Sequence, residues 1–108
     1  MYVRFGKWDC KAKGEHYSYP RERKGIVLIG IQDGEYIATA TVNLPEHYCP
    51  ENEVFIKDYS ENIGMVKALV KAGIIMPSPS VIVPSGHITT GRYILTTKAI
   101  EELFNDKK

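Results

Sequence analysis

No apolar run in these 108 residues approaches the roughly 18 that a membrane-spanning helix requires. The opening stretch, MYVRFGKWDCK, lacks the apolar segment of a secretory leader, so the expectation is a cytoplasmic protein. Cysteine is scarce. Cys10 and Cys49 are the only two, and in a reducing compartment both are expected as free thiols. There is no internal repeat and no low-complexity tract. A large excess of either charge is missing as well. A net +1 excludes a densely acidic mimic of nucleic acid and a densely basic nucleic-acid coat. Gly25, Gly30 and Gly34 do not fall at the spacing of a phosphate-cradling loop, which excludes the common nucleotide-binding motifs.

What is present is ordinary for a folded domain: 44% hydrophobic and 25% charged residues. The length suits one domain whose core needs neither disulfide nor metal. The reading is a single domain over 1–108, with 1–24 as an edge strand plus a basic loop or arm and 25–106 as an α+β core. YVRFGKW at 2–8 alternates loosely, as an edge strand does. Residues 9–24 are polar and basic and are interrupted by Gly14 and Pro20, which points to a loop.

The clearest local signal is GIVLIGIQ, then Asp33-Gly34, then EYIATATVN. Asp-Gly between two β-rich runs predicts a hairpin with a two-residue turn. That turn would oppose Ile31 to Tyr36, Ile29 to Ala38 and Val27 to Ala40, giving a core face of Val27, Ile29, Ile31, Tyr36, Ala38, Ala40 and Val42. The small Ala38 and Ala40 leave room for a helix across the sheet. DYSENIGMVKALVKAG supplies one, with Asp58 or Ser60 as cap, Ile63, Val66, Leu69 and Val70 as the apolar stripe, and Gly73 as the closing residue. EVFIK at 53–57 reads as a short strand, 86–95 as another with a bulge at Gly91, and KAIEELFN as a short helix capped by Thr97. The expected fold is α+β: a small antiparallel sheet with a central Asp-Gly hairpin, one main helix packed on one face, and a short C-terminal helix.

Charge is unevenly distributed. Residues 1–24 hold seven Lys or Arg against three acids, while 33–61 hold seven acids against Lys57 alone. The basic end interleaves Trp8, Tyr17 and Tyr19 with Lys11, Lys13, Arg21, Arg23 and Lys24, a composition able to stack on bases and neutralise phosphates. The acidic stretch offers Glu51, Glu53, Asp58 and Glu61 as a protein-facing surface, joined by His87 and Arg92 from the last strand.

VPSGHITTGRY, residues 83–93, concentrates Ser85, His87 and Arg92. A serine hydrolase needs a strained Gly-x-Ser-x-Gly elbow and an acid behind the histidine, and this segment has neither. It reads better as a turn at Pro84–Gly86 entering a strand, with Ile88 and Ile94 facing the core and His87 at the rim. Cys10, His16, His47 and Cys49 are the right donors for zinc, but their spacing lacks the paired pattern of zinc modules, so no metal or other cofactor is expected.

ATATVNLPE, then NEVFIKDYSENIGMVKALVKAGII, then VPSGHI resembles a domain-of-unknown-function family of small bacterial proteins carried by phages, plasmids and conjugative elements. The resemblance spans roughly 38–95 and is densest at 42–46, 55–64 and 83–86. It implies an accessory protein of a mobile element and brings no catalytic residue. The functional expectation is therefore a non-enzymatic protein that binds a host or defence protein, with inhibition of a defence system as its narrower form and no membrane partner. The competing expectation is a nucleic-acid-binding accessory protein that uses the basic aromatic N-terminal arm. A weaker third is a small enzyme around Ser85, His87 and Arg92.

Overall fold

The computed structural model describes residues 1–19 and 22–105. Four strands, β1 (Tyr2–Phe5), β2 (Trp8–Tyr17), β3 (Arg23–Gly30) and β4 (Tyr36–Thr39), form an antiparallel sheet in that order. Three more, β5 (Glu53–Ile56), β6 (Val81–Ser85) and β7 (Ile88–Ile94), form a second antiparallel sheet with β7 in the middle. Helix α1 is Met65–Lys71, and α2 (Thr97–Ala99) continues as a π-helical turn through Phe104. The architecture is α+β.

Residues 40–42 join the sheets. The Ala40 N–H still donates to Ile26 of β3 at 2.8 Å, while the Ala40 carbonyl accepts from Lys57 N–H at 2.9 Å and Val42 N–H donates to the Phe55 carbonyl at 3.0 Å. These backbone groups keep their partners as the chain passes from one ladder to the next. The core lies inside the resulting bend, with Ile26, Leu28, Ala38 and Ala40 facing Val54, Ile56, Met65, Leu69 and Leu95. Helix α1 packs against β1, and the C-terminal helical segment against β2. The latter approach is so close that a Cβ at Gly14 would fall on the Leu103 carbonyl oxygen.

The basic stretch after Trp8 is a ten-residue strand, not a loop or arm. Its core-facing residues, Cys10, Ala12 and Gly14, alternate with exposed Lys11 and Lys13. The alternation is real, but the inward side chains are too small to raise the local hydrophobicity, so the segment resembles a polar loop.

The hairpin at Asp33-Gly34 exists with a longer turn than two residues. Gly34 has φ +72, and the Asp33 carboxylate accepts from Glu35 N–H at 3.0 Å. Ile29 pairs with Tyr36 and Leu28 with Ala38, with a register shift between Leu28 and Ile29. This one-residue bulge sets the burial of β3 and Tyr36 opposite to that expected while leaving Ala38 and Ala40 inside. Ile26 and Leu28 are buried, whereas Ile31 and Tyr36, placed in the core by a two-residue turn, are exposed; Ala38 and Ala40 are buried as expected. Because only glycine adopts the Gly34 conformation freely, Gly34→Val is expected to cost about 1–2 kcal/mol, read as a lowered melting temperature. Equal melts would refute the turn geometry.

The main helix is shorter than its sequence pattern. Gly64, at φ +97, separates a 3-10 turn at Ser60–Asn62 from α1. The Asp58 carboxylate caps the start, accepting from Gly64 N–H at 2.7 Å and Val66 N–H at 3.1 Å. The break rotates the stripe: Met65 and Leu69 are fully buried, and Ile63 is 75% exposed. Gly73 (φ +78) closes the helix as expected, with Ile74 N–H reaching the Leu69 carbonyl and Gly73 N–H the Val70 carbonyl. Thr96, one residue before the expected Thr97, caps α2 by accepting from Ala99 N–H at 3.1 Å.

The last strand is one arm of a hairpin. β6 and β7 are joined through Gly86 and His87, with Gly86 at φ +68. Glycine at the first turn position suits a primed two-residue turn. Pairing across Gly91 is regular, so no bulge lies there. Thr90, Arg92 and Ile94 therefore share one face, on which Thr90 is buried and Ile94, expected in the core, is exposed.

Candidate functional site

The acidic candidates largely hold the fold. Glu53 of β5 and Arg92 of β7 form an ion pair at 2.8 Å, each side chain only 16% exposed. The same guanidinium donates to the Tyr48 carbonyl at 3.0 Å and lies 5.8 Å from the Tyr48 ring centre. Asp58 is the cap of α1. Glu61 pairs with Lys57 at 2.8 Å; this hydrogen bond lowers the Glu61 carboxyl and raises the Lys57 ammonium. Glu51 and His87 are exposed. Of these six residues, Glu53 and Arg92 are the two that the described contacts bring together.

The basic candidates divide. Arg23 is committed to the loop after β4, donating to the carbonyls of Leu44 at 2.9 Å and His47 at 2.7 Å. Lys24 donates to the Glu51 carbonyl at 3.1 Å and sits 5.6 Å from the Phe104 ring centre. Tyr17 shares a hydrogen bond with the Thr41 hydroxyl at 2.9 Å, and its ring lies over Gly25. Burial pushes the Tyr17 phenol up, against a smaller opposing effect from that bond. The Tyr19 carbonyl accepts from Asn43 at 2.6 Å, with the ring exposed. Lys11 and Lys13 project from β2 into solvent. Trp8 is exposed but shares the parity of Cys10 and Ala12, so it belongs to the other face. Arg21 lies outside the described residues.

The zinc-type donors are dispersed among other roles. Cys10 is buried in β2, and burial raises its thiol. The Cys49 thiol, raised chiefly by burial, donates to the Glu53 carbonyl at 3.2 Å. His16 Nδ1 lies 3.2 Å from a Glu22 carboxylate oxygen. His47 Nε2 is 3.2 Å from the Pro84 carbonyl oxygen. Among the described residues no three His, Cys, Asp or Glu side chains are grouped to hold a metal.

Neither charge nor motif draws attention to a further surface. From Ala72 to Gly91, twenty residues, the chain has no Asp, Glu, Lys or Arg. This stretch builds β6, the turn and the first half of β7, and it exposes Met76, Val81 and Ile82. Ile82, 59% exposed, walls a groove of about 360 Å³. Ile56, Val66 and Gly91 line it with apolar surface, and Asp58, Thr89 and Tyr93 supply polar atoms. Gly91 shapes the groove, since a Cβ there would stand 2.8 Å from the Tyr93 ring. Burial, and secondarily the Asp58 charge, raises the Tyr93 phenol. The adjoining edge of β6 is poorly suited to adding a strand, because Pro84 has no N–H and its carbonyl meets His47. A ligand here is met by side chains.

No family model, curated protein or solved structure matches the chain.

Proposed function

We propose that the chain is a non-enzymatic binding protein that docks a partner protein on the uncharged β6–β7 hairpin, with an apolar partner side chain seated in the groove beside Ile82. The observation that carries this reading is the twenty-residue charge gap from Ala72 to Gly91 together with the exposed Met76, Val81 and Ile82 within it. Depletion of charge with retention of apolar side chains marks the centre of protein interfaces. The non-enzymatic part is supported by the work the polar side chains already do: Glu53, Arg92, Arg23 and Asp58 are engaged in holding loops, strands and a helix start. The resemblance of residues 38–95 to a mobile-element family supplies the context. In it the partner is a host or defence protein, met in the cytoplasm, and inhibition of a defence system is the specific form.

The test is affinity capture from host lysate with tagged protein, comparing the parent, Ile82→Lys, and the double variant Lys11→Glu/Lys13→Glu. The parent and the double variant are expected to retain one and the same partner. Ile82→Lys should lose it without a change in melting temperature, since Ile82 is largely solvent-facing. Equal recovery with Ile82→Lys, or no partner above control with the parent, overturns the proposal.

A further inference from the structure

We propose that the outer face of the β1–β4 sheet is a second, independent site that binds single-stranded nucleic acid. The strand registers place Tyr2 opposite Lys11, Lys11 opposite Ile29, and Ile29 opposite Tyr36. These four residues form one row across all four strands, with an aromatic ring at each end. The next row runs Lys13, Val27, Thr39. Tyr2 and Tyr36 are 68% and 62% exposed, and Lys11 and Lys13 are exposed between them. The Tyr36 hydroxyl bonds the Thr39 hydroxyl at 2.9 Å, which holds its ring against this face.

Charge complementarity favours a polyanion. On this face Arg4, Lys11 and Lys13 outnumber Asp9 and Glu15, and Asp9 is matched by Arg4 at 2.9 Å. Neither Lys11 nor Lys13 forms a salt bridge among the described residues. Aromatic geometry narrows the choice to a single strand. Strands about 4.8 Å apart set the two ring positions roughly 14 Å apart, across a floor of Ile29 and Val27. Unpaired bases expose π-faces to such rings, whereas a duplex hides them and is read by an element that enters a groove. The face of a four-stranded sheet, about 14 Å across its strand axes, is broader than the groove and offers no such element.

The experiment is fluorescence anisotropy with a labelled oligothymidylate, a duplex of mixed sequence, and a labelled polyglutamate of matched charge, each over a salt series. Single-stranded DNA is expected to bind in preference to both others. With two lysines neutralising phosphates, log affinity should fall against log salt with a slope of about −1.4, and Lys11→Glu/Lys13→Glu should abolish that dependence. Tyr2→Ala and Tyr36→Ala should each weaken binding about fivefold to a hundredfold, the range a lost base–aromatic stack produces. Ile82→Lys should leave binding intact, which separates this site from the hairpin. Equal binding of duplex, binding of polyglutamate that ignores both tyrosines, or no binding at low salt each overturns the proposal.

Discussion

Leu69→Ala is expected to destabilise the protein by about 2–5 kcal/mol, the cost of lost apolar contacts plus the cavity left behind. Leu69 of α1 is completely buried, in a core cluster that also takes residues from β1, β2, β3, β4, β5 and the C-terminal helical segment. At roughly 4–8 °C per kcal/mol for a domain of 60–100 residues, this is a shift of at least about 8 °C in Tm. Ile63→Ala, six residues earlier, should do almost nothing, because the Ile63 side chain is in water. The comparison tests the phase of the helix. If the two variants melt alike, the break at Gly64 is misplaced and Ile63 belongs to the core.

Phe55→Ala should cost as much or more, about 3–5 kcal/mol, through a different part of the molecule. Phe55 points away from Val54 and Ile56 and is buried on the opposite side of β5. There the loop of residues 43–49 approaches it: the His47 ring centre is 6.3 Å from its own, and Leu44 of the same loop is buried. Arg23 and Arg92 tie the same loop down through the Leu44, His47 and Tyr48 carbonyls. Removing the phenyl ring leaves these polar ties without the apolar surface beneath them. The variant should therefore show both a large drop in Tm and faster proteolysis within the loop. A Phe55→Ala protein that melts with the parent would show that the loop does not seal this side of β5.

The parts of the fold that were legible are those where hydrophobicity and local signal coincide. The β5 run EVFI, the Asp-Gly turn, the Gly73 helix stop and the Asp58 cap are all of this kind. β2 was hidden because its inward residues are Cys10, Ala12 and Gly14, which carry little apolar weight. The face of β3 was inverted by a single bulge after Leu28, and no local pattern announces a bulge. The site was legible in a different sense. The charge gap from Ala72 to Gly91 can be read directly, yet it is an absence and matches no motif. The groove joins Asp58, Val66, Ile82 and Tyr93 from separate segments, so only the fold brings it into being. The row from Tyr2 to Tyr36 likewise depends on registers that sequence spacing does not set. Arg23, Glu53 and Arg92 stand out in the sequence by their charge, but the fold uses that charge for internal ties.

Thr41 serves three strands at once. Its hydroxyl accepts from Ile26 N–H at 3.1 Å and shares a bond with the Tyr17 hydroxyl, while its backbone bridges to Ile56. Peeling β5 away would unsatisfy backbone groups of residues 40–42, and peeling β3 away would strip the Thr41 hydroxyl of its bond from Ile26 N–H. Each unmade bond in a buried setting costs about 1–3 kcal/mol, so a half-open molecule carries the penalty of both sheets and the benefit of one. The two sheets are therefore expected to open together, with probes in each reporting the same melting transition. The hairpin and the open face are thereby carried on one scaffold.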